Sequence, residues 1–229
     1  LVGSEMCIRD REYVTDAAIV ALRSNGDVCE MKKFNCPKCG KTFEERLTDM
    51  IAKIGENMNL RRAKMIEVND GVVASYIHNA AGTNIGKIGV LVALESKADK
   101  AKLAELGKHI AMHVAASNPL FLNVAAVDPA AVEHEKAIYS EQAKASGKPE
   151  NIIEKMVEGR VRKYYDEVVL EEQAYIMDPD KKVKQVVADT AKELGADIKI
   201  ADFACFKLGE GLQKKEEDFA AEVASQLNK

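Results

Sequence analysis

Residues 128–179 read DPAAVEHEKAIYSEQAKASGKPENIIEKMVEGRVRKYYDEVVLEEQAYIMDP, and their pattern decides the fold. Two helical patterns meet at Gly147-Lys148-Pro149. Glycine suits a helix C-terminus, and proline suits the first turn of the next helix. Val132, Tyr139 and Ala143 form one stripe, and Ile153, Val157, Val161 and Tyr164 form another. The spacings are helical and both seams are narrow. Such arms can zip against each other antiparallel, with little apolar surface left for anything else. The simplest reading is a helical hairpin projecting from a globular body. Its purpose is either to touch a partner or to act as a solvated spacer. Between residues 129 and 167 lie eight acidic and seven basic side chains, a balance that argues against tracking phosphates. Solvated faces with i,i+4 pairs account for most of these charges.

The whole chain sets wider bounds. Its 229 residues are 47% hydrophobic, enough to bury a core, and its net charge of −4 argues against a mainly nucleic-acid-binding protein. No segment approaches the ~20 apolar residues of a membrane span. The first ten residues lack the apolar centre of a secretory signal. Five cysteines in a chain of this length do not make a disulfide framework, which points to a reducing cytoplasm.

Residues 1–11 (LVGSEMCIRDR) match nothing downstream and read as a cloning or sequencing scar joined to a truncated gene. A modest helix follows over 12–33 through Val14, Ala17, Ala18, Ala21 and Leu22, broken at Asn25-Gly26. Cys36-Pro37-Lys38-Cys39-Gly40 presents two thiols at zinc-binding spacing, but four ligands are normally needed and no second pair follows. A loop with two thiols is the plainer reading. Thr42 and Glu45 stand at capping-box spacing ahead of Phe43, Leu47, Met50, Ile51 and Ile54, a helix that Gly55 ends or bends.

From Arg61 the period changes. Lys64–Val68 and Val72–Ile77 read as strands joined by an Asn69-Asp70-Gly71 turn, and Ile85–Glu95 as a third, buried strand. His78 falls in the loop between. Residues 99–117 form a long helix with Leu103, Leu106, Ile110 and Val114 inward. His109 and His113 stand four apart, but the residues between are Ile-Ala-Met, so packing is preferred over a metal pair. After the hairpin come a helix over 182–194 capped by Gly195, a strand over 197–208 with one irregularity, and a terminal helix with Phe219, Ala220, Val223 and Leu227 on one face. The fold class is α+β: an antiparallel sheet core with packed helices, an inserted antiparallel coiled-coil hairpin and a C-terminal helix.

Six stretches, taken in order, resemble the elongation factor Ts family of bacteria. They are IGENMNLRR (54–62), SYIH with GKIGVLVA (75–93), GKHIAMHVAASNP (107–119), SGKPENIIEKMVEGR (146–160), QAYIMDP (173–179) and GEGLQKKEEDFAAEV (209–223). The resemblance covers roughly residues 42–229, and 12–35 more weakly. It implies a remnant of a first core subdomain over 12–60 and a second over 61–208, with the hairpin inserted at about 129–167. A C-terminal helical module at 209–229 completes the scheme.

The resemblance further implies a non-catalytic guanine-nucleotide exchange factor. Such a factor binds elongation factor Tu, in its GDP-bound and nucleotide-free states, and lets GDP leave so that GTP can enter. No cofactor, nucleic acid or membrane is implied. By motif, Ile54-Gly55, His78, Ile176-Met177 and the helix around Phe219, Ala220 and Val223 correspond to surfaces that face Tu; simple core packing is the alternative for each. The family also carries an upstream helical domain and a Thr-Asp-Phe-Val motif whose Asp-Phe pair acts near the magnesium. Neither stands in this sequence, so a Tu-binding fragment without full exchange activity is the first rival reading. A zinc module through Cys36 and Cys39 is the rival from another class.

Overall fold

The computed structural model describes residues 2–36, 39–55, 57–144 and 150–211. Helix α1 spans Val2–Arg23, α2 Val28–Lys33 and α3 Phe43–Ile54. The long strands β1 (Gly71–Gly82) and β2 (Ile85–Glu95) precede α4 (Lys100–Ser117). The charged stretch holds α5 (Pro129–Lys144) and α6 (Glu150–Val168). Short strands β3 (Ala174–Tyr175) and β4 (Asp178–Lys182) lead into α7 (Val183–Leu194) and β5 (Lys199–Lys207). The terminal-helix expectation, with Phe219, Ala220 and Val223, lies outside the described residues.

The architecture is α+β, with an antiparallel three-stranded sheet in the order β1-β2-β5. β2 is central and its alternate residues Val90, Val92 and Leu94 are almost wholly buried. They meet Leu106, Ile110 and Val114 of α4, and Val183 and Val187 of α7, in one cluster. This is the 3.6-residue period of a helix seated on the two-residue period of a strand. Asp99 caps α4 by accepting from the N–H groups of Ala101 and Lys102 at 3.1 and 3.0 Å. The irregularity in β5 is a register shift opposite Ala93 and Leu94, which pair with Asp202 and Ile200.

A second cluster joins Tyr13, Ala17, Val20 and Ala21 of α1 to Met31, Cys36, Phe43 and Leu47. The buried stripe of α1 is therefore offset from the expected one: Val14 and Leu22 face outward, 48% and 65% exposed. α3 keeps its capping box, with the Thr42 N–H donating to Glu45 Oε2 at 2.8 Å and the Glu45 N–H to Thr42 Oγ1 at 3.2 Å. Gly55 ends it in a left-handed cap at φ 80°.

Two strand expectations need correction. Residues 61–68 form no ladder, so there is no hairpin turn at 69–71, and β1 starts at Gly71. The segment is instead tied to the β5 region through side chains. Lys64 pairs with Asp202 at 2.7 Å, Arg62 lies over the Phe206 ring at 4.8 Å, and Arg61 and Arg62 reach Glu210. β1 also runs longer than expected, so His78 stands in the strand opposite Ile88 rather than in a loop.

α5 and α6 pack side by side, with Val132 and Val161 in a small cluster with Val127 and Val169. The root of the pair is clamped by backbone. Leu120 and Phe121 donate to the Val168 carbonyl at 2.8 and 3.0 Å, and Leu170 donates to Phe121 at 2.8 Å.

The approach of α4 to the sheet depends on Gly107. A Cβ there would sit 2.6 Å from the Ala74 Cβ. Gly107→Leu is expected to cost about 1–3 kcal/mol or more by overpacking, read as a lower urea midpoint. Gly159 in α6 has open space around it. Gly159→Ala is expected to stabilise by up to about 1 kcal/mol, so the two substitutions should move the midpoint in opposite directions.

Candidate functional site

Ile176 and Met177 form the two-residue tip of the β3–β4 ladder, in which Tyr175 pairs with Asp178. They are 51% and 52% exposed. Two-residue hairpin loops favour Gly, Asn or Asp at positive φ. Neither residue is of that kind, and neither has positive φ. Turn chemistry therefore does not explain an Ile-Met pair here, and the pair leaves apolar surface exposed.

The tip is held from beneath by a buried relay. His113, 1% exposed, accepts from the Ile176 N–H through Nδ1 at 3.2 Å. That assignment leaves the proton on Nε2, which donates to Gln173 Oε1 at 3.0 Å. Ser117 donates to the His113 carbonyl at 2.7 Å and lies 3.1 Å from Gln173 Oε1. Gln173 in turn donates through Nε2 to the Glu167 carbonyl, in the last turn of α6, at 2.7 Å. One imidazole thus links α4, the displayed tip and the root of the arm. The Tyr175 ring lies beside it at 5.9 Å, and the Tyr175 hydroxyl reaches Met177 Sδ at 3.4 Å. The displayed pair is anchored once through backbone and once through sulfur.

Burial pushes the His113 pKa down, with its hydrogen bond to Gln173 opposing. The neutral ring is the form this geometry requires, since a doubly protonated ring could not accept from Ile176. A further clamp lies at the surface: Lys182 Nζ bridges Asp166 and Glu172, each at 2.8 Å, and Lys184 Nζ reaches Glu172 at 2.6 Å. The lysines hold the Glu172 carboxyl below the usual range. These side chains are partly exposed, so the network orients α6 against β4 more than it stabilises the fold.

The other expected site residues are placed as follows. Ile54 is partly buried at the end of α3, and Gly55 is exposed with open space beside it. His78 is exposed on β1, on the same strand face as Ala74 and Tyr76, with Nδ1 3.2 Å from the Tyr76 hydroxyl. Phe219, Ala220 and Val223 fall among residues not described. Cys36 is buried and Cys39 exposed, and the described residues hold no group of three or more His, Cys, Asp or Glu able to share a metal ion. No helix is long and apolar enough to cross a membrane among the described residues. Sequence reasoning missed the role of His113 and its partners, Gln173 and Ser117. The available signal was the i,i+4 spacing of His113, which is buried, and Ser117, which is exposed at the end of α4.

The elongation factor TS family matches residues 10–210. Elongation factor Ts of Sinorhizobium medicae strain WSM419 is 52% identical over 215 residues, 94% of this chain and 70% of that protein. The protein of that name from Paramagnetospirillum magneticum is 53% identical over 214 residues, 93% of this chain and 69% of the relative. That from Caulobacter vibrioides is 58% identical over 186 residues, covering 81% and 60%. The class that this likeness defines is a translation elongation factor. More particularly, the chain belongs to the elongation factor Ts family.

The relay makes stability depend on pH with a definite sign. A histidine whose folded pKa is depressed stabilises fully above its unfolded value, about 6.5, and loses that contribution as pH falls toward the folded value. Urea unfolding is expected to show declining stability below about pH 6.5. His113→Asn should remove that segment of the profile and cost about 1–3 kcal/mol at pH 7, because the Ile176 N–H and Gln173 lose a buried partner.

Proposed function

We infer that this chain is a guanine-nucleotide exchange factor of translation elongation. It binds elongation factor Tu carrying GDP, favours the nucleotide-free state, and so releases GDP for GTP to replace. The observation that carries this reading is the family match over residues 10–210, with relatives named elongation factor Ts at 52–53% identity over more than nine-tenths of the chain. The thermodynamics is reciprocal coupling: a partner that prefers nucleotide-free Tu weakens GDP binding by the same factor that GDP weakens the partner. No nucleophile or general base is needed, so the activity is not enzymatic in the covalent sense. Its place of work is the cytoplasm, with Tu as partner and neither membrane nor nucleic acid required.

The docking surface is read as Ile54-Gly55, His78 and Ile176-Met177, with Phe219, Ala220 and Val223 from the terminal segment. The half-exposed Ile-Met tip is its best-supported member, because a rigid apolar pair loses little conformational freedom on binding. We read α5 and α6 as an antiparallel coiled-coil hairpin inserted in a second subdomain over 61–208. The shared Val132–Val161 cluster, the Arg160 guanidinium 5.9 Å from the Tyr139 ring, and the clamped root support that reading. The separate cluster between α1 and α3 supports a distinct first unit over 12–60.

Release of a fluorescent GDP analogue from Tu tests the reading, alongside direct binding. Acceleration together with binding is the expected result. Binding without acceleration would leave a docking fragment, and no binding would end the proposal. Replacing both Ile176 and Met177 by Ala is expected to weaken Tu binding by about 1–3 kcal/mol per side chain. That is roughly 5- to 150-fold for each. An unchanged affinity would remove the tip from the interface.

A further inference from the structure

Cys36 and Cys39 lie outside the residues read as the docking surface, yet the fold organises them. Asn35 and Thr42 form an antiparallel bridge between α2 and α3. The Phe43 N–H donates to the Phe34 carbonyl at 3.1 Å and the Cys36 N–H to Lys41 at 2.8 Å. Within this pinch, the N–H groups of Cys39 and Gly40 both donate to the Cys36 carbonyl, at 3.4 and 2.9 Å. A bond across a three-residue offset marks a turn whose end Cα atoms lie within about 7 Å. A disulfide needs nearly the same separation, roughly 4.4–6.8 Å.

The two sulfurs sit in unlike surroundings. Cys39 is exposed, whereas Cys36 is 2% exposed in the α1–α3 cluster. Arg46, in α3, donates through Nη1 to Cys36 Sγ at 3.1 Å and to Asp16 at 3.0 Å. Its guanidinium also lies over the rings of Tyr13 and Phe43, at 5.6 and 5.2 Å, so it is fixed in place. A fixed cation beside a sulfur favours thiolate over thiol. The same cation repels a metal ion approaching that sulfur, which sets the zinc reading aside in favour of redox chemistry.

We propose that Cys36 and Cys39 form a dithiol–disulfide couple whose oxidant is a low-molecular-weight disulfide of the glutathione type. The exposed Cys39 thiolate attacks one sulfur of the oxidant, and the other sulfur leaves as a thiolate that takes up a proton. Cys36 thiolate, held by Arg46, then attacks the Cys39 sulfur and expels the second thiol. The pair loses two electrons and two protons, and one external disulfide becomes two thiols. The buried sulfur needs no solvent access, because its only reaction is with its neighbour. The closed loop is too short to constrain the unfolded chain much, so the bond acts as a local mark rather than as a staple. Its direct effect is to remove the anion opposite Arg46, which then keeps Asp16 as its acidic partner.

The test uses the full chain, reduced and desalted, then exposed to glutathione disulfide and mapped by peptide mass spectrometry with thiol counting. The expected product is a Cys36–Cys39 disulfide that retains no glutathione and reverts with dithiothreitol. Cys39→Ser, a change at an exposed position, should abolish it without disturbing the fold. Cys36→Ser should instead trap glutathione on Cys39. Arg46→Gln should make the couple more reducing, by about 30 mV for each tenfold shift in the equilibrium. The proposal is overturned if wild type stops at a mixed disulfide on Cys39, or if either sulfur links to another cysteine. It is equally overturned if bound zinc protects both thiols until it is chelated. None of these readouts depends on Tu, so they stand apart from the exchange assay.

Discussion

A single buried imidazole has to satisfy both of its nitrogens, and the exposed Ile176-Met177 tip depends on how it does so. His113 can accept from Ile176 only if its other nitrogen carries the proton, and that proton then fixes Gln173. Gln173 spends its amide on the last turn of α6. The displayed tip, the core helix and the arm therefore share one hydrogen-bonded solution. Leaving His113 or Gln173 unpaired costs about 1–3 kcal/mol, because both are buried. Positional accuracy at the tip comes from this chain of obligations, since the β3–β4 ladder is too short to hold it.

The sheet supplies the rigid floor for that relay. β2 is flanked on both sides by paired strands and carries residues that are almost wholly removed from water. α4 lies close enough to β1 that no side chain fits at Gly107. The spacing that seats α4 also sets where His113 stands, six residues further along the same helix. Packing and hydrogen bonding are thus coupled: the glycine fixes the distance and the histidine uses it.

Much of this was legible in the sequence for physical reasons. Strong amphipathic periods gave α3 and α7, a sustained apolar face gave α4, and the Gly55 and Gly195 ends followed from left-handed caps. The break at 147–149 and the seam of Val132, Ile153 and Val161 marked two paired helices, and all three of these residues are buried. Residues 61–68 misled because their alternation fits a strand. Their charged residues instead reach Asp202, Glu210 and the Phe206 ring, and pattern cannot distinguish a ladder from side-chain pairing. His78 misled because Asn79 and the irregularity between Ala80 and Gly82 look like a turn, whereas β1 continues through them. The tip at Ile176-Met177 was located by resemblance alone, as its residues carry no turn signal. The relay of His113 stayed hidden because its partner Gln173 is 60 positions away in sequence.

The clamped root of the two arms has a consequence for how such a protein can change over generations. Residues 120–122 and 168–171 meet through backbone hydrogen bonds, so the excursion leaves and re-enters the body at nearly one point. To the body, the intervening stretch is equivalent to a loop, and the entropic cost of closing a loop grows only slowly with its length. Whole helical turns can be added to or removed from both arms together while the floor beneath them keeps its geometry. Helix length then becomes a property that selection can adjust by insertion and deletion, separately from the sheet and the tip beside it.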